Sequence, residues 1–116
     1  MSPPRALGEL EQTLLFALVA LGDGAHGVEL RELIEADTGR APSAGALHTG
    51  YERLERRGLV ESWLGERTPM RGGRPKRHYR LTAEGARALR GSYRRISALA
   101  EGRLELLDRL SAESSE

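Results

Sequence analysis

Six basic side chains, Arg67, Arg71, Arg74, Lys76, Arg77 and Arg80, crowd around the pair Gly72–Gly73 in the stretch ERTPMRGGRPKRHYRLT, with Glu66 as the one acid between 66 and 80. Fixed positive charge of this kind makes and breaks no bonds. It attracts polyanions, and against nucleic acid it gains affinity by displacing counterions from phosphates. The segment carries +5 in a chain whose formal net charge is +1, which leaves the remaining residues at −4. A local basic patch on a slightly acidic body implies one defined polyanion contact rather than general stickiness. A solvated hairpin tip without a partner is the plain alternative.

Other residue types capable of chemistry are poorly placed for it. His26, His48 and His78 fall on three separate segments without short ligand spacing, and the chain has no cysteine. Neither a metal site nor a cofactor is expected. Ser43, Ser62, Ser92 and Ser97 lack an evident histidine–acid arrangement, and no glycine-rich phosphate loop opens a helix after a strand. Nothing points to an enzyme. The longest apolar run, TLLFALVAL at 13–21, is too short to span a bilayer and follows Glu9 and Glu11, so neither a membrane anchor nor a signal peptide is expected. A reducing cytoplasm is the compartment that fits most easily.

The elements that must position the basic segment follow from periodicity. Residues 1–6 form a loose arm. A first helix over 8–21 carries Leu10, Leu14, Leu18 and Leu21, and Leu15, Phe16 and Val19 make its second half apolar nearly all round, which implies burial on more than one side. The cluster GDGAHG at 22–27 reads as a turn. A second helix spans 28–38 with Leu30, Leu33 and Ile34 inward, ended by Gly39. Ser43 is the N-cap of a third helix, 44–57, whose inward stripe is Leu47, Tyr51 and Leu54. The segments 59–64 and 77–81 then make a β-hairpin around the basic loop, with Trp63 and Tyr79 packing on it or lining a ligand cage.

Thr82 caps a final helix running to about residue 112, with Gly91 and Gly102 as points of a kink or break. At about 1.5 Å per residue it would be about 40 Å long, too long for the rest of the chain to cover. Its stripe therefore calls for a second copy, with Leu14, Leu18, Leu89, Tyr93, Ile96, Ala100, Leu107 and Leu110 as the dimerisation set. Tyr93 and Ile96 could instead line a pocket at the dimer centre. Residues 113–116 are expected to fray.

Helix, helix, turn, helix and a hairpin with a cationic tip define a winged helix-turn-helix (residues 7–81) followed by a long C-terminal helix: a mainly α fold with a small β wing. The third helix fits the DNA major groove. Its outward N-terminal residues Ser43, Ala44, Gly45, Ala46, His48 and Thr49 are small or hydrogen-bonding, and Arg53 lies further along towards flanking phosphates. His48 reads either as a DNA contact or as a partly buried polar residue. Arg67, Arg71, Gly72, Gly73, Arg74, Lys76 and Arg77 form the wing contact.

The stretches LGELEQTLLFALVALGDGAHGVELRELIE, TGRAPSAGALHTGYERLERRGLVES and GGRPKRHYRLTAEG, taken together, resemble the PadR (phenolic acid decarboxylase regulator) family of bacterial winged-helix transcription factors. The glycine–arginine wing followed by two aromatic positions and Leu-Thr-x-x-Gly is the most specific of the three. The resemblance implies a homodimeric repressor that binds double-stranded DNA and dimerises through the C-terminal helix, in the compact form with no added domain. The family usually has Tyr at the positions of His48 and His78, so no operator sequence carries over. No residue identifies a small-molecule inducer. A winged-helix protein-interaction module, acting as an adaptor or inhibitor, and sequence-independent architectural DNA binding are the rival functions.

Overall fold

A computed structural model describes residues 6–66 and 75–113. The elements run α1 (Glu9–Leu21), β1 (Ala25–His26), α2 (Gly27–Thr38), α3 (Ala44–Arg56), β2 (Val60–Leu64), β3 (Arg77–Leu81), α4 (Ala83–Ala100) and α5 (Leu104–Glu113). The arm residues 1–5 and the tail residues 114–116 lie outside the described residues.

One departure from the sequence reading is β1. Ala25 and His26, expected within a turn, pair antiparallel with Tyr79 and His78, so the hairpin becomes a three-stranded sheet of order β1-β3-β2. Gly24 N–H adds a bond to Tyr79 O at 3.0 Å. Two residues are too short a run to announce a strand; the pairing comes from the otherwise open edge of β3.

The core is a leucine cluster closed by two tyrosines. Leu14, Leu15 and Leu18 of α1, Leu30 of α2, Leu54 of α3 and Val60 of β2 are all fully buried, and burying such a side chain contributes about 2 kcal/mol relative to leaving it exposed. Tyr51 lies among them, 0% exposed, and its ring stacks on Tyr79 at a centroid distance of 4.4 Å. The Tyr51 hydroxyl donates to Leu14 O at 2.8 Å, so one side chain joins α3 to the α1 backbone and to β3. α3 approaches α1 closely because residue 50 is glycine: a Cβ there would lie 2.5 Å from Leu14 Cδ1. Gly85 does the same for α4, where a Cβ would fall 2.1 Å from Leu59 O. That contact explains why the Leu-Thr-x-x-Gly motif needs its glycine.

α1 is not buried on more than one side within the chain, as its apolar second half had implied. Leu14, Leu15, Ala17 and Leu18 face the core, while Leu10, Phe16, Val19 and Leu21 remain exposed. The C-terminal helix is also not continuous. It breaks at 101–103, where Gly102 takes φ +78°, whereas Gly91 stays helical. Leu14, Leu18 and Leu89, expected at a subunit interface, are core side chains with 0%, 2% and 4% exposure and have little surface left for a second copy. Tyr93, Ile96, Leu107 and Leu110 are exposed, and Ala100 is half-buried.

Burial, and then proximity to Tyr79, holds the Tyr51 phenol far above its ordinary value, and burial raises that of Tyr79. The unfolded chain releases these protons from about pH 10 while the folded chain keeps them. Stability is therefore full below about pH 10 and falls above it, by about 1.4 kcal/mol per pH unit for each retained proton. Denaturant midpoints should drop above that pH, and Tyr51→Phe should flatten the drop while costing about 1 kcal/mol at neutral pH through its lost hydrogen bond. Equal alkaline slopes in the two proteins would contradict this account.

Candidate nucleic-acid interface

α3 begins as the sequence implies. Ser43 is its N-cap, and its Oγ accepts from Ala46 N at 3.0 Å. The entering turn is braced by Arg31, whose Nε donates to Pro42 O at 2.8 Å. Leu47, Gly50, Tyr51 and Leu54 face inward. At 100° per residue the opposite ridge is then Gly45, Thr49, Glu52 and Arg56, flanked by His48 towards the sheet and by Ala46 and Arg53 on the other side. Ser43, Ala44, Gly45, Ala46, His48, Thr49 and Arg53 are all exposed. Small side chains over the first turn leave the helix backbone free to approach a surface within a groove.

The arginines at the C-terminal end of α3 divide. Arg56 pairs with Glu52 at 3.4 Å on the helix surface. Arg57 turns back to Glu11 of α1 at 3.0 Å in a half-buried pair, so it holds α1 to α3. Arg53 makes no ion pair among the described residues.

The sheet presents two faces. On one, Trp63 lies over His78, with the Arg80 guanidinium 5.9 Å from the Trp63 ring and also paired with Glu61. His78 Nδ1–H donates to Gly24 O at 2.6 Å, which fixes the tautomer and ties β3 to the turn before β1. Its ring also meets His26 edge-on at 6.0 Å. His78 lies against Trp63 on this face and also fastens the sheet. Trp63 packs on His78 on this face, and Tyr79, on the opposite face, packs on Tyr51.

On the other face Arg77 points towards the body rather than outward. Its Nη1 donates to Ser62 Oγ at 2.9 Å, and it is half-buried. Lys76, one residue earlier, is exposed. The remaining wing residues named from sequence, Arg67, Arg71, Gly72, Gly73 and Arg74, lie outside the described residues. Between α2, α3 and the root of the wing is a cleft of ≈ 290 Å³ lined by Arg31, His48, Lys76 and Arg77. The structure therefore brings His48, Lys76 and Arg77 together, with Arg31 as a neighbour that the sequence reading did not select. Among the described residues no group of three histidines or acids is placed to hold a metal ion, and no helix is long and apolar enough to cross a membrane.

With this geometry, the chain belongs to the PadR-like family of transcriptional regulators, whose sequence profile matches residues 16–91. It is similar to a PadR family transcriptional regulator from Eggerthella lenta, with 32% identity and a TM-score of 0.65 over 85% of this chain and 86% of that one. Two more distant structures share the fold. A PadR family regulator from Clostridium difficile is 17% identical with a TM-score of 0.68, covering 86% of this chain and 99% of that one. RosR of H. salinarum is 20% identical with a TM-score of 0.63, covering 96% of each. No curated protein matches the chain. The winged-helix architecture expected from the order of elements is thus shown, as is the family.

Replacing Ser43 by Ala removes the cap of α3 and should cost about 1 kcal/mol of stability, read from denaturant unfolding. Ser43→Asp keeps a capping oxygen and should remain within a few tenths of a kcal/mol of the wild type. A loss in Ser43→Asp as large as in Ser43→Ala would show that the cap is not what Ser43 contributes.

Proposed function

We propose that the protein is a homodimeric repressor that binds an inverted-repeat operator in double-stranded DNA, with half-sites about one helical turn apart. The observation that carries this reading is the N-terminal half of α3. It is exposed and lined by small and hydrogen-bonding side chains, beside a cleft whose walls carry Arg31, Lys76 and Arg77. His48 and Thr49 are suited to base edges, and Lys76, Arg53 and the loop arginines Arg67, Arg71 and Arg74 to phosphates. A second copy of the chain is supported by the apolar surface left on α1, α4 and α5, including Phe16, Tyr93, Ile96, Leu107 and Leu110. Tyr93 meets Phe16 edge-on at 6.0 Å, so the exposed apolar faces of α1 and α4 adjoin. The expected compartment is the cytoplasm, where DNA is accessible.

A mobility-shift titration on the promoter beside its own gene should give a salt-sensitive complex that depends on sequence, and a nuclease footprint should span two half-sites. Arg71→Gln or Arg74→Gln should weaken binding to all sequences and reduce the salt slope by about one each. Substitutions at His48 or Thr49 should change which sequence is preferred. Equal binding to operator and random duplex at physiological salt would leave the specific-regulator reading without support and favour an architectural role; no footprint at all would favour a protein-interaction module.

Dimerisation has a separate check. Ile96→Asp or Leu107→Asp should halve the mass measured by light scattering, since each places a charge in apolar contact surface. An unchanged mass in both would remove this interface.

A further inference from the structure

The β2 strand of the wing loses its apolar anchorage early. Along β2, Val60 is 1% exposed, but Trp63 and Leu64 are 41% and 57% exposed. Beyond Val60, β3 is still held to α3 by the stack of Tyr79 on Tyr51, and β2, at the same rung, is tied to α3 by polar contacts at Ser62. The Glu55 carboxylate, near the end of α3, accepts from Ser62 N at 3.2 Å with one oxygen and from Ser62 Oγ at 2.8 Å with the other. Ser62 Oγ in turn accepts from Arg77 Nη1 of β3 at 2.9 Å. Three side chains on three elements thus form a chain of hydrogen bonds, with an ionised group at each end, which is the stronger kind of bond.

Its composition is unexpected on a surface that faces phosphates. Glu55 is an acid on the recognition helix, where bare negative charge would repel DNA. Here its two oxygens are occupied by Ser62, and the Arg77 charge lies on the far side of the same hydroxyl. The triad opens onto a cleft that also contains His48, the side chain on the wing side of α3.

We propose that Arg77, acting through Ser62 and Glu55, sets the angle between the wing and the recognition helix, and is a positioning residue for operator binding rather than a phosphate contact. This rests on the DNA-binding reading above. The angle decides whether the wing and α3 reach adjacent grooves in register. A phosphate contact would weaken binding to any duplex, whereas loss of the strut weakens the complex that requires both elements at once.

Two measurements on the full chain test it. In the free protein, residual dipolar couplings of backbone N–H groups in β2 and β3 are compared with those in α3. Ser62→Ala and Arg77→Gln should both shift the sheet couplings relative to the helix, and Ser62→Thr, which keeps the hydroxyl, should not. In salt titrations of operator binding, Ser62→Ala and Arg77→Gln should each lower affinity about tenfold, the equivalent of one such hydrogen bond. The slope against log salt should not change, and the double variant should be no weaker than either single one. Lys76→Gln serves as the control whose slope falls by about one.

Unchanged couplings in Ser62→Ala and Arg77→Gln would overturn the strut. A slope reduced by about one in Arg77→Gln, with Ser62→Ala binding like the wild type, would overturn the positioning role and make Arg77 a phosphate contact. If the wild type shows no operator preference, the DNA-binding reading fails on its own, and the couplings still decide whether the strut exists.

Discussion

The stack of Tyr51 on Tyr79 is the contact on which the rest of the arrangement depends. A helix-turn-helix and a β wing are each too small to bury a core alone, and they share one where β2 and β3 pack on α1 and α3. Tyr51 brings to that junction a large apolar ring and a hydroxyl that must find a partner once buried. It finds one in the backbone of α1, so a single residue joins the three elements at a fixed separation. Gly50, next to it, allows the approach that puts the hydroxyl within reach of Leu14. A Cβ at residue 50 would run into the Leu14 side chain, which would have to move from its place in the core.

From that junction outward, the interactions change from apolar to polar. The leucine cluster holds α1, α2 and α3 as one body. The root of the wing is held on one side by the short β1 rung and His78, and on the other by the side chains around Ser62. The arginines sort by the same gradient. Arg57 and Arg31 are spent inside the fold, on Glu11 and on the α2–α3 turn, while Lys76 and Arg53 remain at the surface. Total basic charge is therefore a poor guide to the charge available for phosphate, because part of it is structural.

The order of elements, the caps at Ser43 and Thr82, and the inward stripe of α3 were legible because each depends on local spacing. What the sequence hid depends on tertiary context. β1 exists only because the edge of β3 is available to Ala25 and His26. Periodicity marked Leu14, Leu18 and Leu89 as buried but could not say whether their cover comes from the same chain or another. Gly91 and Gly102 looked equivalent as breaking points. The difference is that α4 is packed against the body around Gly91, next to buried Ser92, whereas every residue from 101 to 113 is exposed and nothing opposes the turn at Gly102. Arg77 carried a signal that its charge obscured. Residues 77, 79 and 81 share one face of a strand, so alternation alone places Arg77 on the same side as the core residue Tyr79.

The contact between Glu55 and Ser62 also bears on solubility. In the order β1-β3-β2, β2 is an edge strand, and edges with unpaired N–H groups are templates on which other chains add strands. The pairing of Leu59 with Thr82 and of Gly65 with Lys76 turns the Ser62 N–H away from β3, onto that open edge. A carboxylate from the neighbouring helix accepts it there, so an incoming strand finds the central donor already occupied and a negative charge beside it. The sequence VESWL combines apolar and aromatic residues that favour extended aggregates, and Glu55 serves as its gatekeeper from outside the strand.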